Sequence, residues 1–393
     1  MRASLIGSFI FFGSTLTLAL LAACGDTAGN PIIAASPGED AAQGGTSSAQ
    51  DGASTGDGKS GDDGGDAAPS RDPALVVASN DGVHLWKHAA ALASDTAPDA
   101  NLGASGLSDG ASSLASASGH LWVGRAAGEL GVLRFDDAAS LTSASTPSAT
   151  LTTTAAATSL AIDGSLLWAN LGGAIAMFAD ATTATATAAS FVHPFEQIMG
   201  NAYDPVSDRL FGGQISGAGV LAWNQAHTKT GPSNDDFVVA DGGHAYWTMQ
   251  IAQNRLYAAG AHSSTESGVA IWPNASGISG PAAPITLTDG YDRGKFISHL
   301  IVRDDVLAVA ARDQDVIYVY EHASAITANR AADFTLTHPS LVRPNRLAID
   351  ANARLYAIDD DGIVVFANVS STPAFVTEIK SGVGQPSDIA LIE

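Results

Sequence analysis

The chain has 393 residues, with 40 acidic side chains, 18 basic ones and a formal net charge of −22. Such an anion repels nucleic acid and excludes it as a partner. The single cysteine, Cys24, excludes an internal disulfide and a CxxC zinc site, and a hydrophobic content of 46% excludes wholesale disorder.

Residues 1–23 begin Met1-Arg2, continue as an apolar run from Leu5 to Ala22 and end on small residues. This is the layout of a secretory signal, although the run is also about long enough to span a bilayer. Its last stretch, Leu21-Ala22-Ala23-Cys24, resembles the bacterial lipobox. The resemblance implies a mature chain that starts at Cys24 and carries fatty acyl chains such as palmitate. Thioether formation needs a nucleophilic sulfur. Several acyl chains anchor durably, at ~0.8 kcal/mol per buried methylene. The expected address is the bacterial cell envelope, lipid-anchored to the outer membrane and facing periplasm or surface.

Residues 24–72 follow as the lipidated cysteine and a linker. Positions 25–72 hold 11 Gly, 9 Ala, 6 Ser and 9 acidic residues, with no aromatic. Such a segment cannot bury enough apolar surface to offset its ordering entropy. It is expected to be a disordered tether with a reach of roughly 35–40 Å. It carries a net −7, which leaves −16 on residues 73–393.

From residue 73 the chain repeats itself. An aromatic follows a short apolar run and is followed, three positions on, by a small residue, usually Ala. The copies centre on Trp86, Phe135, Phe178, Trp223, Trp272, Tyr320 and Phe366, spaced 49, 43, 45, 49, 48 and 46 residues apart. Upstream of each aromatic lies a second strand opening on Leu75, Leu121, Leu167, Leu210, Leu256, Leu307 or Leu355. Asn80-Asp81-Gly82 and Asp359-Asp360-Asp361-Gly362 supply hairpin turns. A third, inner strand reads Ser159-Leu-Ala-Ile, His299-Leu-Ile-Val or Arg346-Leu-Ala-Ile, and a fourth includes Asp333-Phe-Thr-Leu. Seven such units predict an all-β, seven-bladed β-propeller of four-stranded blades over 73–393. The first unit lacks its inner strand, so residues 387–392 are expected to supply it and close the ring.

The clearest copy runs from Pro344-Asn345-Arg346-Leu347-Ala348-Ile349-Asp350 through Leu355-Tyr356-Ala357-Ile358-Asp359 to Phe366. It resembles the NHL and related bacterial propeller repeats. Propellers of that kind include binding modules, lactonases and other enzymes, so the resemblance implies a fold and leaves the function to the site.

Nucleophilic catalysis has no sequence support: the GxSxG matches at 52–56 and 106–110 lie in Gly/Ser-rich stretches that do not read as a strand-to-helix elbow, and the only cysteine is taken by the anchor. No HxH or HExxH appears among the ten histidines. Asp359, Asp360 and Asp361 could attract calcium, but they occupy a hairpin turn, where such residues serve the backbone. The positions just before the inner apolar triplets are Ser113, Ser159, Gly200, Thr248, His299, Arg346 and Asp388. A lactonase-like metal site would need a Glu, asparagines and an Asp there, and an Arg in the ring disfavours it. No catalytic or metal-binding residue is therefore assigned.

His299, Arg343, Asn345, Arg346 and Asp388 fall on blades six, seven and one, with Trp247 of blade five beside them. A mixed polar cluster with an aromatic suits a small polar ligand or a sugar. Mutual satisfaction within the loops is the competing reading. The expected function is a monomeric, envelope-anchored binding module for a polar ligand, glycan or protein partner. The alternatives are a lactonase-like envelope hydrolase acting at the axial end, or a structural envelope protein with no ligand.

Overall fold

The period-two apolar pattern of each repeat becomes a four-stranded antiparallel sheet, and seven of these sheets form a ring. In the computed structural model, residues 72–393 are described apart from 104–105, 127–129, 173, 184–190, 195–197, 215–218, 230–234, 240–243, 263–265 and 381. The expected signal, Cys24 and the tether to residue 71 lie outside the described residues.

Blade one contains β1 (Ala74–Ser79), β2 (Gly82–Trp86) and β3 (Ala100–Asn101). Blade two contains β4 (Ala111–Ala117), β5 (His120–Arg125), β6 (Val132–Phe135) and β7 (Ala149–Leu151). Blade three contains β8 (Ser159–Asp163), β9 (Leu166–Asn170), β10 (Ala174–Phe178) and β11 (Phe191–Pro194). Blade four contains β12 (Ile198–Asp204), β13 (Arg209–Gln214), β14 (Val220–Asn224) and β15 (Phe237–Val238). Blade five contains β16 (His244–Ala252), β17 (Arg255–His262), β18 (Glu266–Pro273) and β19 (Ile285–Leu287). Blade six contains β20 (His299–Arg303), β21 (Val306–Ala311), β22 (Val316–Tyr320) and β23 (Phe334–Leu336). Blade seven contains β24 (Arg346–Ile349), β25 (Leu355–Ile358), β26 (Ile363–Ala367) and β27 (Ala374–Ile379).

The last strand, β28 (Pro386–Ile392), pairs antiparallel with β1 and becomes the innermost strand of blade one. Each innermost strand packs against the next, from β28 through β4, β8, β12, β16, β20 and β24 back to β28. The described residues contain no α-helix.

The repeat motif has a local cause. Its aromatic lies on the third strand of each blade and is buried in every copy. Two residues later the backbone turns left-handed, at Asp137, Asp180, Gln225, Asn274, His322 and Asn368 (φ from 51° to 63°). The alanine that follows opens a 3-10 turn at Ala138, Ala226, Ala275 and Ala323. Its amide donates to the turn between the first two strands, as Ala138 does to Gly119 O (2.8 Å) and Ala323 to Asp305 O (2.8 Å). These alanines are fully or almost fully buried, so a larger side chain has no room there. At the start of β2, Gly82 sits at φ +133°, and a Cβ would lie 2.7 Å from Gly103 Cα, so only glycine fits.

Aliphatic side chains of adjacent blades interlock across every seam. At the closure, Val77, Ile389 and Leu391 pack with Ala348, Ile358 and Ile363. Ending the chain at Gln385 removes Ile389, Leu391 and Ile392 from the core and bares the inner edge of β1. Loss of two or three buried aliphatics costs about 2–5 kcal/mol each, comparable to a whole domain's stability of about 5–15 kcal/mol. Thermal unfolding of the full chain against one ending at 385 is expected to show loss of the cooperative transition. Equal melting temperatures would contradict closure by β28.

Candidate functional site

The innermost strands start at one face of the ring, termed here the upper face. Strand register makes seven positions equivalent there. Asp388, Ser113, Ser159, Gly200, Thr248, His299 and Arg346 stand opposite Ala78, Gly124, Asn170, Gly213, Ala259, Ala310 and Ile358. Each partner lies three residues after the leucine that opens its second strand. All the side chains of this ring are buried, Arg346 completely.

An innermost strand uses one edge to pair with its own blade and leaves the other edge toward the axis. Those free backbone groups need partners. Polar side chains of the preceding blade supply them. Asp388 Oδ2 accepts the Leu114 amide of blade two (2.8 Å), and His299 Nδ1 accepts the Leu347 amide of blade seven (3.2 Å). Gln250 takes both edge groups of Val302: its Oε1 accepts the amide (2.6 Å) and its Nε2 donates to the carbonyl (3.0 Å). Hydroxyls act alike: Ser113 Oγ donates to Ala157 O (2.8 Å), and Ser298 Oγ to Pro344 O (2.7 Å).

Arg346 spans the closure. Its Nη1 donates to Asn345 O (3.3 Å) and Ser298 O (3.5 Å), and its Nε lies 3.5 Å from Asp388 Oδ1. Asp388 Oδ1 also accepts the Ile389 amide (2.9 Å). The Arg346–Asp388 pair joins blade seven to blade one where the ring closes.

The structure thus gathers His299, Asn345, Arg346 and Asp388 at the upper end of blades six, seven and one. Asn345 is 2% exposed; its backbone N–H donates to Ile358 O (2.8 Å), while its Oδ1 has no partner. Arg343 lies apart from that buried group. It sits at φ +53° on the surface, 48% exposed, and its Nη1 pairs with Asp360 Oδ2 (2.8 Å). Trp247 is half-buried on blade five, edge-on to Phe296 with ring centroids 5.1 Å apart, and its Nε1 has no partner.

The three turn aspartates have different tasks. Asp359 accepts the amides of Val342 (3.0 Å), Asp361 (2.9 Å) and Gly362 (2.8 Å). Burial pushes its carboxyl above the ordinary value, and those amides pull the other way. Asp360 sits between Arg312 (3.3 Å) and Arg343. Among the described residues, no group of three or more His, Cys, Asp or Glu side chains is arranged to hold a metal ion.

One constellation was not anticipated from sequence. Ser79 Oγ lies 2.9 Å from His84 Nε2, and Asp81 Oδ1 lies 2.9 Å from the same nitrogen. Triad chemistry places serine and carboxylate on opposite ring nitrogens. Here they share one, and Ser79 is fully buried, so the trio braces the β1–β2 hairpin. Burial pushes the Asp81 carboxyl up, but the hydrogen bonds of Ser79 and His84 outweigh it and hold it below the usual 3.8.

The closure pair generates an asymmetric prediction. Asp388→Ala strands the buried Arg346 charge and the Leu114 amide, and is expected to cost about 3–5 kcal/mol. Arg346→Met leaves Asp388 with two amide donors and is expected to cost less. Urea unfolding followed by tryptophan fluorescence reads both. A larger loss for Arg346→Met would show that the arginine, not the carboxylate, organises the seam.

No protein-family profile matches the sequence, and no curated protein matches it. Solved structures do resemble the ring. A candidate 6-phosphogluconolactonase of Bacteroides fragilis superposes with a TM-score of 0.64 at 11% identity, covering 82% of this chain and 98% of that one. A similarly described protein of Bacteroides uniformis gives 0.62 at 13%, covering 81% and 99%. The periplasmic gluconolactonase of Pseudomonas aeruginosa gives 0.59 at 15%, covering 82% and 99%. At these identities the likeness extends to the fold: this chain shares the β-propeller architecture of those proteins.

Proposed function

We propose that the protein is a lipid-anchored propeller of the bacterial cell envelope that binds a polar ligand, glycan or protein partner at its upper axial end. One observation carries the reading. Trp247 Nε1 and Thr248 Oγ1 of blade five and Asn345 Oδ1 of blade seven are buried polar atoms without partners, each at or next to a ring position of the upper face. Such atoms are costly to leave unpaired in a folded interior, and a ligand that pairs with them recovers that cost. The half-buried Trp247–Phe296 pair adds an aromatic surface suited to a sugar face.

The charged members of the ring support recognition over catalysis. General acid–base work needs a side chain within reach of substrate. Asp388 is committed to Arg346 and two amides, and His299 to the Leu347 amide. The engagement of Asp359 and Asp360 by amides and arginines likewise favours a turn role over calcium binding. Kinship with NHL-type repeats rests on the seventh copy, Pro344 to Phe366.

A second reading, an envelope hydrolase of lactonase type, is favoured by the shape shared with the proteins described as lactonases. Hydrolysis of glucono-1,5-lactone by the purified protein, abolished by chelation, would establish it in place of the module.

Two outcomes are expected. Cys24→Ser should abolish palmitate labelling and move the protein from the membrane to the soluble fraction; an unlabelled protein that stays with membranes would overturn the anchor. Trp247→Ala should weaken glycan capture about 30-fold, the equivalent of ~2 kcal/mol for a truncated aromatic anchor. Unchanged binding on a glycan array would remove Trp247 from the site.

A further inference from the structure

The seam between blades three and four differs from the others in what it buries. Elsewhere the residue after the ring position is apolar: Leu114, Leu160, Met249, Leu300, Leu347 and Ile389. On β12 that residue is Asn201, 3% exposed, with neither Nδ2 nor Oδ1 partnered.

The direction of Asn201 follows from its neighbours. A Cβ on Gly200 would lie 3.0 Å from Trp247 O and 3.1 Å from the Thr248 backbone, so Gly200 faces blade five. Successive strand residues face opposite sides, and Asn201 therefore faces blade three. Tyr203, in phase with Asn201, and Leu210 opposite it pack with Ala161 and Trp168 of blade three.

On the blade-three side, Ser159 and Asn170 stand opposite each other across β8 and β9. They are in phase with Ala161 and Trp168, so they face the same seam. Both are fully buried, and Ser159 Oγ and Asn170 Nδ2 have no partner. Asn170 is nonetheless held in place, because its Oδ1 accepts the Gly172 amide (2.9 Å). Thr158 and Gly172 beside them are half-buried, which puts the seam directly beneath the upper face.

Four unpaired polar atoms on three neutral side chains thus face one seam, Ser159 and Asn170 at the ring position and Asn201 one residue beyond it. Two are amide donors, one is an amide acceptor, and the serine hydroxyl does both. None carries charge, in contrast to the Arg346–Asp388 side of the ring. Neighbouring hydroxyls of a neutral polyol or sugar match this set; a carboxylate or phosphate lacks the compensating cation.

We propose that Ser159, Asn170 and Asn201 form a subsite for the hydroxyl groups of a neutral polyol or sugar at the seam of blades three and four. The inference rests on the binding-module reading and names the ligand class for it. Resident water offers the same hydrogen-bond chemistry and is separated by the test.

The test uses the full chain in detergent, titrated calorimetrically with D-glucose, D-galactose, myo-inositol and gluconate. At least one neutral probe should bind saturably and more tightly than gluconate. Asn201→Leu installs the side chain that equivalent strands carry, so the fold should persist and the melting temperature should rise. In that variant, binding of the neutral probe should weaken at least tenfold. Asn201→Gln, which keeps an amide, should retain more binding than Asn201→Leu. Neutral-probe binding that Asn201→Leu leaves unchanged would overturn the subsite while the module stands. Absence of binding by all neutral probes would also overturn it, assigning the seam to water, and the module would then be judged by its glycan and protein partners. A fall in melting temperature in Asn201→Leu would also overturn the subsite, by showing that the asparagine is a structural element of the seam.

Discussion

The molecule depends on one pairing, that of its last strand with its first. A propeller is stable because every sheet face is covered by a neighbour, and an open ring leaves two faces and an edge bare. Here β28 lies between β1 and the axis, so covalent order and spatial order differ by a full circuit of the ring. The closing contact also holds a fully buried arginine, Arg346. Arg346 and Asp388 bridge blades seven and one, and the carboxylate goes on to an amide of blade two. A buried ion pair is expensive to desolvate. Its place beside the strand that closes the ring, where Asp388 also takes the Leu114 amide 274 residues away in sequence, fits a role in fixing register, since Asp388 holds the strand that could otherwise slip along β1.

The same logic runs around the ring. Toward the axis, serines, Gln250, His299 and Asp388 satisfy the free edge of the next innermost strand. Elsewhere in the blades, arginines tie blade to blade through carbonyls of turns or strand ends. Arg134 reaches Ala181 O (3.0 Å), Arg255 reaches Ile326 O (2.8 Å), Arg303 reaches Ile349 O (2.9 Å) and Arg354 reaches Ala90 O. The shortage of basic residues takes on a meaning here. Several of the few arginines are spent inside seams, which leaves an acidic surface. At the seam of blades three and four the charges work differently, since Asp163 and Asp204 repel one another across it.

The axial ring therefore has two chemistries. Across blades six, seven and one it is charged and engaged with its own backbone. Across blades three, four and five it is neutral, and the hydroxyls of Ser159 and Thr248 are unpaired. A protein that must recognise something at its axis benefits from such a division, because the engaged half keeps the ring closed while the neutral half is available to a ligand. The overall shape is shared with proteins described as lactonases, but shape is common to many propellers and the side chains decide the chemistry.

Much of this was legible in the amino-acid sequence. The seven aromatics, the Leu that opens each second strand and the stray C-terminal strand determined blade number, strand order and closure, because a period-two pattern repeated near 46 residues has few packings. The equivalence of Ser113, Ser159, Gly200, Thr248, His299, Arg346 and Asp388 was readable too, since it depends only on spacing within the repeat. Tertiary structure decided which of those residues are occupied. Arg343 is two residues from Asn345, yet a left-handed turn sends it outward to Asp360. His299 and Asp388 look like ligand groups in sequence, and their partners are backbone amides of the next blade, which no local pattern reveals. The break at Asn201, where six equivalent strands carry an apolar residue, was visible as a departure from the repeat. That it faces the same seam as Ser159 and Asn170 was not, because seams lie between blades and are set by ring packing rather than by neighbours along the chain.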